Sequence, residues 1–296
     1  DVDVSTTDSA INITVQEKFS IIPVPFAFAQ SDNWGGGLIL LDNNAFGIMD
    51  KAAIGGFVTK ESWRLLAQYS HIQTRDAFCG WYTSINGGKS TTKLRDEDSD
   101  LLLEYDSSNL TASAGLTKKF TPWLKAYIES GVNMCKVDDD TPHSEFIITA
   151  LFGLTVSTST WDGTFLNTTS LSVSASENFS LWHEHYYTFS AKAVWEQHLV
   201  QRLRIISNAT AFYAPDIPVA FSKNQSITGT SLLNSAYRVS VIAGGSTGLE
   251  WGIKKFSLGM PAIYAQYQIC RADNVLCGDT WGHGPVLGFK FYLSKI

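Results

Sequence analysis

The sequence predicts an all-β protein, and within that class a closed antiparallel β-barrel that crosses a membrane. Apolar residues recur at every second position along most of the 296 residues, which is the period of a strand. The alternating runs extend over about nine to twelve residues, as a tilted membrane-spanning strand requires, whereas strands in soluble proteins usually have about five or six. The opposite faces carry Arg, Lys, Gln and Asn in mid-strand, which suits a wet interior better than a packed core.

The individual runs show this alternation clearly. From Glu145 to Val156 every even-numbered residue is apolar. In a second run, Tyr187 and Trp195 stand at the two ends of one apolar face. At roughly 3.3 Å per residue and a tilt of about 40°, they are separated by about 20 Å along the membrane normal, close to the spacing of two interfacial aromatic girdles. Further runs of the same kind cover residues 63–69, 203–211, 263–269 and 287–293.

Composition excludes several other classes of protein. Charged residues make up 17% of the chain, below the roughly 25% of a typical soluble domain, and the net charge of -6 argues against nucleic-acid binding. The longest apolar stretch, Phe19 to Ala29, is about half the length of a transmembrane helix and contains Pro23 and Pro25. A soluble lectin-like sandwich is the remaining outside alternative.

The division of the chain follows from the same pattern. We expect an N-terminal periplasmic segment at residues 1–17 and the transmembrane barrel at residues 18–296, in a mature form whose signal peptide has been removed. An even strand number closes a single-chain barrel; twelve strands are favoured, and fourteen or sixteen remain open. The longer loops are expected at residues 73–99, 136–144, 214–234 and 271–283, with short glycine-rich links at residues 55–56 and 244–248.

Charged residues opposite the apolar faces would line the lumen and set the electrostatic barrier to solutes. Since bases outnumber acids among them, a mild preference for anions is expected. The alternative is that acidic loop residues pair with several of them and seal the lumen. The candidate pore residues are Arg64, Lys125, Glu129, Lys192, Arg202, Arg204, Arg238 and Lys290.

Other motifs offer weaker chemistry. Cys270 and Cys277 flank a short polar link and could form a disulfide in an oxidising compartment, although buried thiols are the alternative. The run His183-Glu184-His185 lacks a third metal ligand, so neither a metal nor a cofactor is expected. The glycine-rich run around Ser246 satisfies G-x-S-x-G, but strand-like residues flank it where a nucleophile elbow needs a helix.

Both ends of the predicted barrel resemble known outer-membrane proteins. In the last strand, Gly288, Phe291 and Leu293 match the glycine and apolar positions of the β-signal that such barrels present to their assembly machinery. Near the N-terminus, the Pro-x-Pro run Phe19–Phe26 precedes the glycine-rich run Trp34–Leu40. This resembles the opening of the barrel in the Omp85 (surface antigen, assembly-factor) superfamily, specifically short members lacking periplasmic POTRA domains. The Arg-Gly-aromatic motif of the family's lumenal loop is absent, and the matching loop, residues 214–234, contains no Arg.

The resemblance implies a non-catalytic protein of the cell outer membrane in a Gram-negative bacterium, with a role in outer-membrane assembly or transport. A porin-like diffusion channel for small solutes is the alternative, and an outer-membrane lipid hydrolase that uses Ser246 is a further one. The expected partners are outer-membrane lipids or lipopolysaccharide and, during biogenesis, the barrel-assembly machinery.

Overall fold

The computed structural model describes residues 2–7, 10–15, 20–30, 33–74, 78–95, 100–138, 143–162, 165–182, 184–221, 223–224, 238–254, 256, 259–274 and 278–293. Strands dominate these residues, and no helix among them has the length and apolar character needed to cross a membrane. The strands are β1 Val2–Thr7, β2 Ala10–Val15, β3 Ile21–Gln30, β4 Asn33–Ala45, β5 Asp50–Thr59, β6 Ser62–His71, β7 Gly80–Arg95, β8 Leu101–Lys119, β9 Leu124–Asp138, β10 His143–Asp162, β11 Phe165–Ser180, β12 Tyr186–Val200, β13 Leu203–Tyr213, β14 Lys223–Asn224, β15 Arg238–Gly252, β16 Gly259–Asn274 and β17 Gly278–Leu293.

The strands form one small and one large antiparallel sheet. β1 and β2 make a separate hairpin. The large sheet runs from β3 to β17 with each strand beside its neighbour in sequence, except that the two-residue β14 lies off this path and pairs with β15. The path contains fourteen strands, so the favoured number of twelve is wrong. β3 and β17 stand at its two ends.

Several segments expected to be loops or links are strands in the structure. β7 occupies most of the region expected to be a long loop. The sequence pattern did not reveal this strand, because the outer positions of Gly80–Arg95 carry few large apolar residues. The expected glycine-rich links are also strand interior: residues 55–56 lie within β5 and residues 244–248 within β15. At Gly248 an added Cβ would lie 2.0 Å from the carbonyl oxygen of Ala265, so this glycine permits close approach of β16 rather than a turn.

The two faces of the sheet are inverted relative to a soluble protein. On β10, Ile148, Phe152 and Val156 are 40–51% exposed, while Glu145 and Ile147, which precede them on the opposite face, are at most 4% exposed. We call the face that carries the exposed apolar side chains the outer face, and the opposite one the inner face. The predicted period-two pattern is therefore confirmed, with the apolar residues on the accessible side.

All nine tryptophans are exposed, with 42–68% of each accessible. The tryptophans lie near the two ends of the strands. Successive connections of this antiparallel sheet alternate between these two ends, which we name by their contents. The terminal end holds the start of β3, the end of β17 and Trp81, Trp123, Trp161, Trp195 and Trp251. The long-loop end holds the connection from β13 to β15 and Trp34, Trp63, Trp182 and Trp281.

The large sheet curves strongly toward its inner face. The rings of Phe165, at the start of β11, and Tyr292, in β17, have centroids 6.2 Å apart. Four strands separate β11 from β17 in the sheet, which in a flat sheet would place them about 24 Å apart at roughly 4.8 Å per step. Only a concave inner face brings the two rings into contact.

Tyrosine rings of the inner face lie directly over glycines of neighbouring strands. A Cβ added to Gly153 would lie 2.2 Å from Cζ of Tyr127. Gly115 stands in the same relation to Tyr82, and Gly288 to Tyr264. The absent side chain thus makes room for a ring that packs flat on the wall, so these pairs fix the local packing of adjacent strands.

Gly153→Ala should lower the free energy of unfolding by about 1–3 kcal/mol, because the ring of Tyr127 would have to leave its position. Urea unfolding in lipid vesicles, followed by tryptophan fluorescence, measures the loss. In a Tyr127→Ala background the same substitution should cost far less. Equal losses in both backgrounds would contradict the proposed contact.

Candidate functional site on the inner face

A charged cluster centred on a buried carboxylate joins four strands, β12, β13, β15 and β17, near the terminal end. Glu250 of β15 is 0% exposed and accepts hydrogen bonds from Arg204 Nε at 2.9 Å, Tyr292 Oη at 2.6 Å and Lys290 Nζ at 2.9 Å. Arg204 Nη1 also donates to Glu196 Oε2 at 2.9 Å. Two cations and two carboxylates are thus brought together, so the buried charges are neutralised and hydrogen-bonded.

Aromatic rings enclose the guanidinium of this cluster. Phe165 is 2% exposed, and its ring centroid lies 4.9 Å from Cζ of Arg204. Arg204 Nη2 donates to the hydroxyl of Tyr292, whose ring stands edge-on to Phe165. Because Tyr292 and Lys290 both belong to β17, the cluster ties the last strand to β13 and β15 by side chains as well as through β16.

The wall formed by β8 to β11 carries a ladder of neutral polar side chains beside charged inner-face residues such as Lys125 and Glu129. Thr111 Oγ1 donates to Asn133 Oδ1 at 2.8 Å, and Asn133 Nδ2 donates to Thr149 Oγ1 at 3.4 Å. Thr149 in turn donates to Asn178 Oδ1 at 2.9 Å. This ladder crosses four strands, and each hydroxyl or amide finds its partner on the next strand.

The segment after β13 packs across the inner face at the long-loop end. Ala214 is 0% and Ile217 8% exposed, and they join a buried cluster with residues of β10, β12, β13, β15 and β16. Phe221, in a 3-10 turn at Val219–Phe221, contacts both this cluster and a second one formed by β8 and β9. The segment Ala214–Phe221 therefore spans the concavity from β8 to β16.

The residues predicted to line a pore are distributed unevenly over the described structure. Arg204 and Lys290 belong to the charged cluster. Glu129 accepts a hydrogen bond from the hydroxyl of Tyr82. Arg202 lies in the β12–β13 turn and donates a hydrogen bond to the carbonyl oxygen of Ile253. The side chain of Arg238 lies outside the description. The other three are at least partly accessible and occupy inner-face positions of their strands: Arg64, Lys125 and Lys192.

The remaining predicted motifs also have positions. In β17, Gly288 and Phe291 alternate between the inner and outer faces, and Leu293 is the last strand residue. Cys270 is buried in β16 at 1% exposure, whereas Cys277 lies outside the described residues, so the disulfide stays a prediction. Ser246 is buried in mid-strand and accepts from Asn208 Nδ2 at 2.8 Å, without the turn and helix of a nucleophile elbow.

Metal binding finds no support in the part of the chain that is described, where no group of three His, Cys, Asp or Glu side chains comes together. His183 lies outside it. Sequence reasoning missed Glu250, Glu196 and Tyr292 as members of the cluster. Their only signal was a polar residue opposite an apolar face, which does not tell which strands will meet.

Glu250→Gln should lower the free energy of unfolding by about 3–5 kcal/mol, because it leaves Arg204 and Lys290 without their shared carboxylate. Chemical unfolding in lipid vesicles measures this. Asp279→Asn is the matched control: its pair with Arg271 has side chains 54% and 67% exposed, so the loss should stay below about 1 kcal/mol. Similar losses in both variants would refute a special role for the cluster.

Comparison with known proteins identifies the fold. No protein-family model and no curated protein matches the sequence. BamA from Haemophilus ducreyi lacking POTRA domains 1-3 is 10% identical, with a TM-score of 0.65, over 100% of this chain and 73% of that one. CdiB from Escherichia coli is 13% identical, with a TM-score of 0.67, over 98% of this chain and 61% of that one.

CdiB from Acinetobacter baumannii gives the same result, with a TM-score of 0.68 and 12% identity over 99% of this chain. This chain spans 61% and 59% of the length of the two CdiB chains. At such low identity the likeness concerns the fold. The sequence resemblance and the structural one agree, and the chain has an Omp85-like β-barrel fold.

Proposed function

We propose that the chain is an integral outer-membrane protein whose fourteen strands close into a barrel, with residues 18–296 in the barrel and residues 1–17 on the periplasmic side. It acts in outer-membrane assembly or transport and catalyses no reaction. During biogenesis, Gly288, Phe291 and Leu293 of its last strand engage the barrel-assembly machinery.

The membrane location rests on one observation, the exposure of all nine tryptophans at the two ends of an apolar outer face. Indole rings prefer the boundary between hydrocarbon and water, where the ring is buried and the N–H stays hydrated. In a soluble protein, exposed apolar surface on this scale would drive association. A bilayer removes that cost, since the outer face then meets lipid.

The role in assembly or transport is supported by the inner face. A passive diffusion channel needs a continuous wet path, whereas the segment Ala214–Phe221 spans the concavity and buries Ile217 and Phe221 against its walls. The resemblance to the Omp85 superfamily favours the same role. An occupied lumen favours this role over that of a permanently open pore.

A porin-like channel is the second candidate, and three cations favour it. Arg64, Lys125 and Lys192 remain accessible on inner-face positions, while Arg204 and Lys290 are neutralised by Glu250 and Glu196. Such a channel would prefer anions. The lipid hydrolase has no comparable support. Ser246 lies within a strand, and its described hydrogen-bond partner, Asn208, is an amide that cannot act as a general base.

Tryptophan quenching tests the membrane location. In vesicles made with brominated acyl chains, most of the tryptophan fluorescence should be lost, because the rings lie at the lipid surface. Aqueous iodide should quench little of it. Strong quenching by iodide alone, or extraction of the protein from membranes without detergent, would contradict a lipid-facing outer surface.

Planar bilayer recording separates assembly or transport from diffusion. The wild-type protein should give silence or brief flickering events, because the segment Ala214–Phe221 packs across the concavity. The triple variant Ile217→Ser, Val219→Ser, Phe221→Ser should release the segment and produce steady conductance steps. Leu181→Ser, at an exposed position of the long-loop end, serves as the control. Steady, single-sized steps from the wild type would favour the porin-like alternative instead.

A further inference from the structure

The connections at the terminal end carry large apolar side chains in place of the small polar residues usual in turns. Five connections at this end expose such a residue, either in the connection or at the adjoining strand end, and residues 163–164 of the remaining β10–β11 connection lie outside the described structure. The apolar residues are 52–87% exposed: Phe46, Met49, Phe78, Phe120, Val200 and Phe256. Apolar tips around a whole rim are costly in water, so this rim is built to contact something less polar than water.

The β4–β5 turn presents its apolar residues in a defined geometry. Phe46 and Met49 have positive φ angles of 58° and 63°, which L-residues adopt at a cost. Asn44 holds this geometry: its side-chain oxygen accepts from Met49 N at 2.7 Å and its carbonyl from Gly47 N at 2.9 Å. The ring of Phe46 lies 6.0 Å from that of Tyr69, yet 87% of Phe46 stays exposed.

Lysines accompany these apolar residues. Lys118 Nζ lies 3.2 Å from the ring centroid of Phe78, and Lys254 Nζ lies 5.9 Å from that of Phe256. Lys119 follows Lys118 at the end of β8 and is exposed. Among the described residues, no carboxylate forms an ion pair with any of these three lysines.

The long-loop end has the opposite character. There Lys93 pairs with Glu61, and three further bases pair with nearby acids: Lys89 with Asp106, Lys136 with Asp138, and Arg271 with Asp279. Most of the described bases at that end are thus locally neutralised, and Lys60 is an exception without an ion pair to a described carboxylate. At the terminal end, Lys290 is paired with Glu250, whereas Lys118, Lys119 and Lys254 have no described carboxylate partner.

We propose that the terminal end binds anionic phospholipid headgroups, with Lys118, Lys119 and Lys254 on the phosphates and the apolar turns in the upper acyl region. This rests on the proposed membrane location. The rim continues the lipid-facing outer surface beyond the five tryptophans of this end, and a ring of aromatic and basic side chains is the combination that anionic lipid surfaces attract. Each lysine near an anionic lipid surface strengthens the attraction to that surface by about a factor of five, so we expect a comparable enrichment of the anionic lipid.

Headgroup-selective quenching tests this proposal on the full-length chain. In phosphatidylcholine vesicles containing some brominated phosphatidylglycerol, tryptophan quenching should exceed the value for random mixing, and indicate at least about a fivefold preference for the anionic lipid. The triple variant Lys118→Gln, Lys119→Gln, Lys254→Gln should lose the preference, and the corresponding Lys→Arg variant should retain it.

A variant with the same change in charge at the other end provides the control. Lys60→Gln, Lys89→Gln, Lys136→Gln should keep the preference, because these residues belong to the long-loop end. An equal loss in both Gln variants, or no preference in the wild type, would overturn the proposal and favour a protein partner for the rim. If brominated phosphatidylcholine also fails to quench, the membrane location itself fails, so the two failures are distinguishable.

Discussion

The structure depends on an inversion in which each strand turns its apolar side chains outward and its polar ones inward. Water makes that arrangement unfavourable and hydrocarbon makes it favourable, provided that no backbone N–H or C=O is left without a partner inside the bilayer. The antiparallel ladder supplies those partners from one end of the fourteen-strand path to the other. The polar groups of the inner face must then find hydrogen-bond partners on that face, and the neutral ladder and the charged cluster both meet this need.

The inner face meets the need in two ways. Across β8 to β12, neutral side chains pair with their neighbours, as Thr111 does with Asn133. Across β13 to β17, the solution is ionic, with Glu250 shared by groups from two other strands. The segment Ala214–Phe221 packs between these walls. The last strand is consequently held by side-chain contacts from inside as well as by its neighbour.

The fold tolerates wide divergence of sequence, as identities of 10–13% at TM-scores of 0.65–0.68 demonstrate. A physical reason lies in the pattern: the outer face needs only apolar side chains at alternate positions, and in the proposed membrane location lipid would adapt to their shapes. The inner face is more demanding, because pairs such as Tyr127 on Gly153 require a particular residue on each of two strands. Chain-specific properties are therefore expected inside the sheet and at its two ends.

The sequence by itself determined the class of the fold and the direction of most side chains, because the alternation of a strand is local and Tyr187 and Trp195 already marked the limits of one apolar face. It did not determine the strand number, since β7 lacks a strong apolar face. Nor did it reveal that the glycines around Ser246 lie in a strand. Only the tertiary structure decided which polar groups meet: Arg204 and Tyr292 reach Glu250 across 46 and 42 residues of chain. Such contacts depend on curvature and register, and these arise only when the whole sheet is assembled.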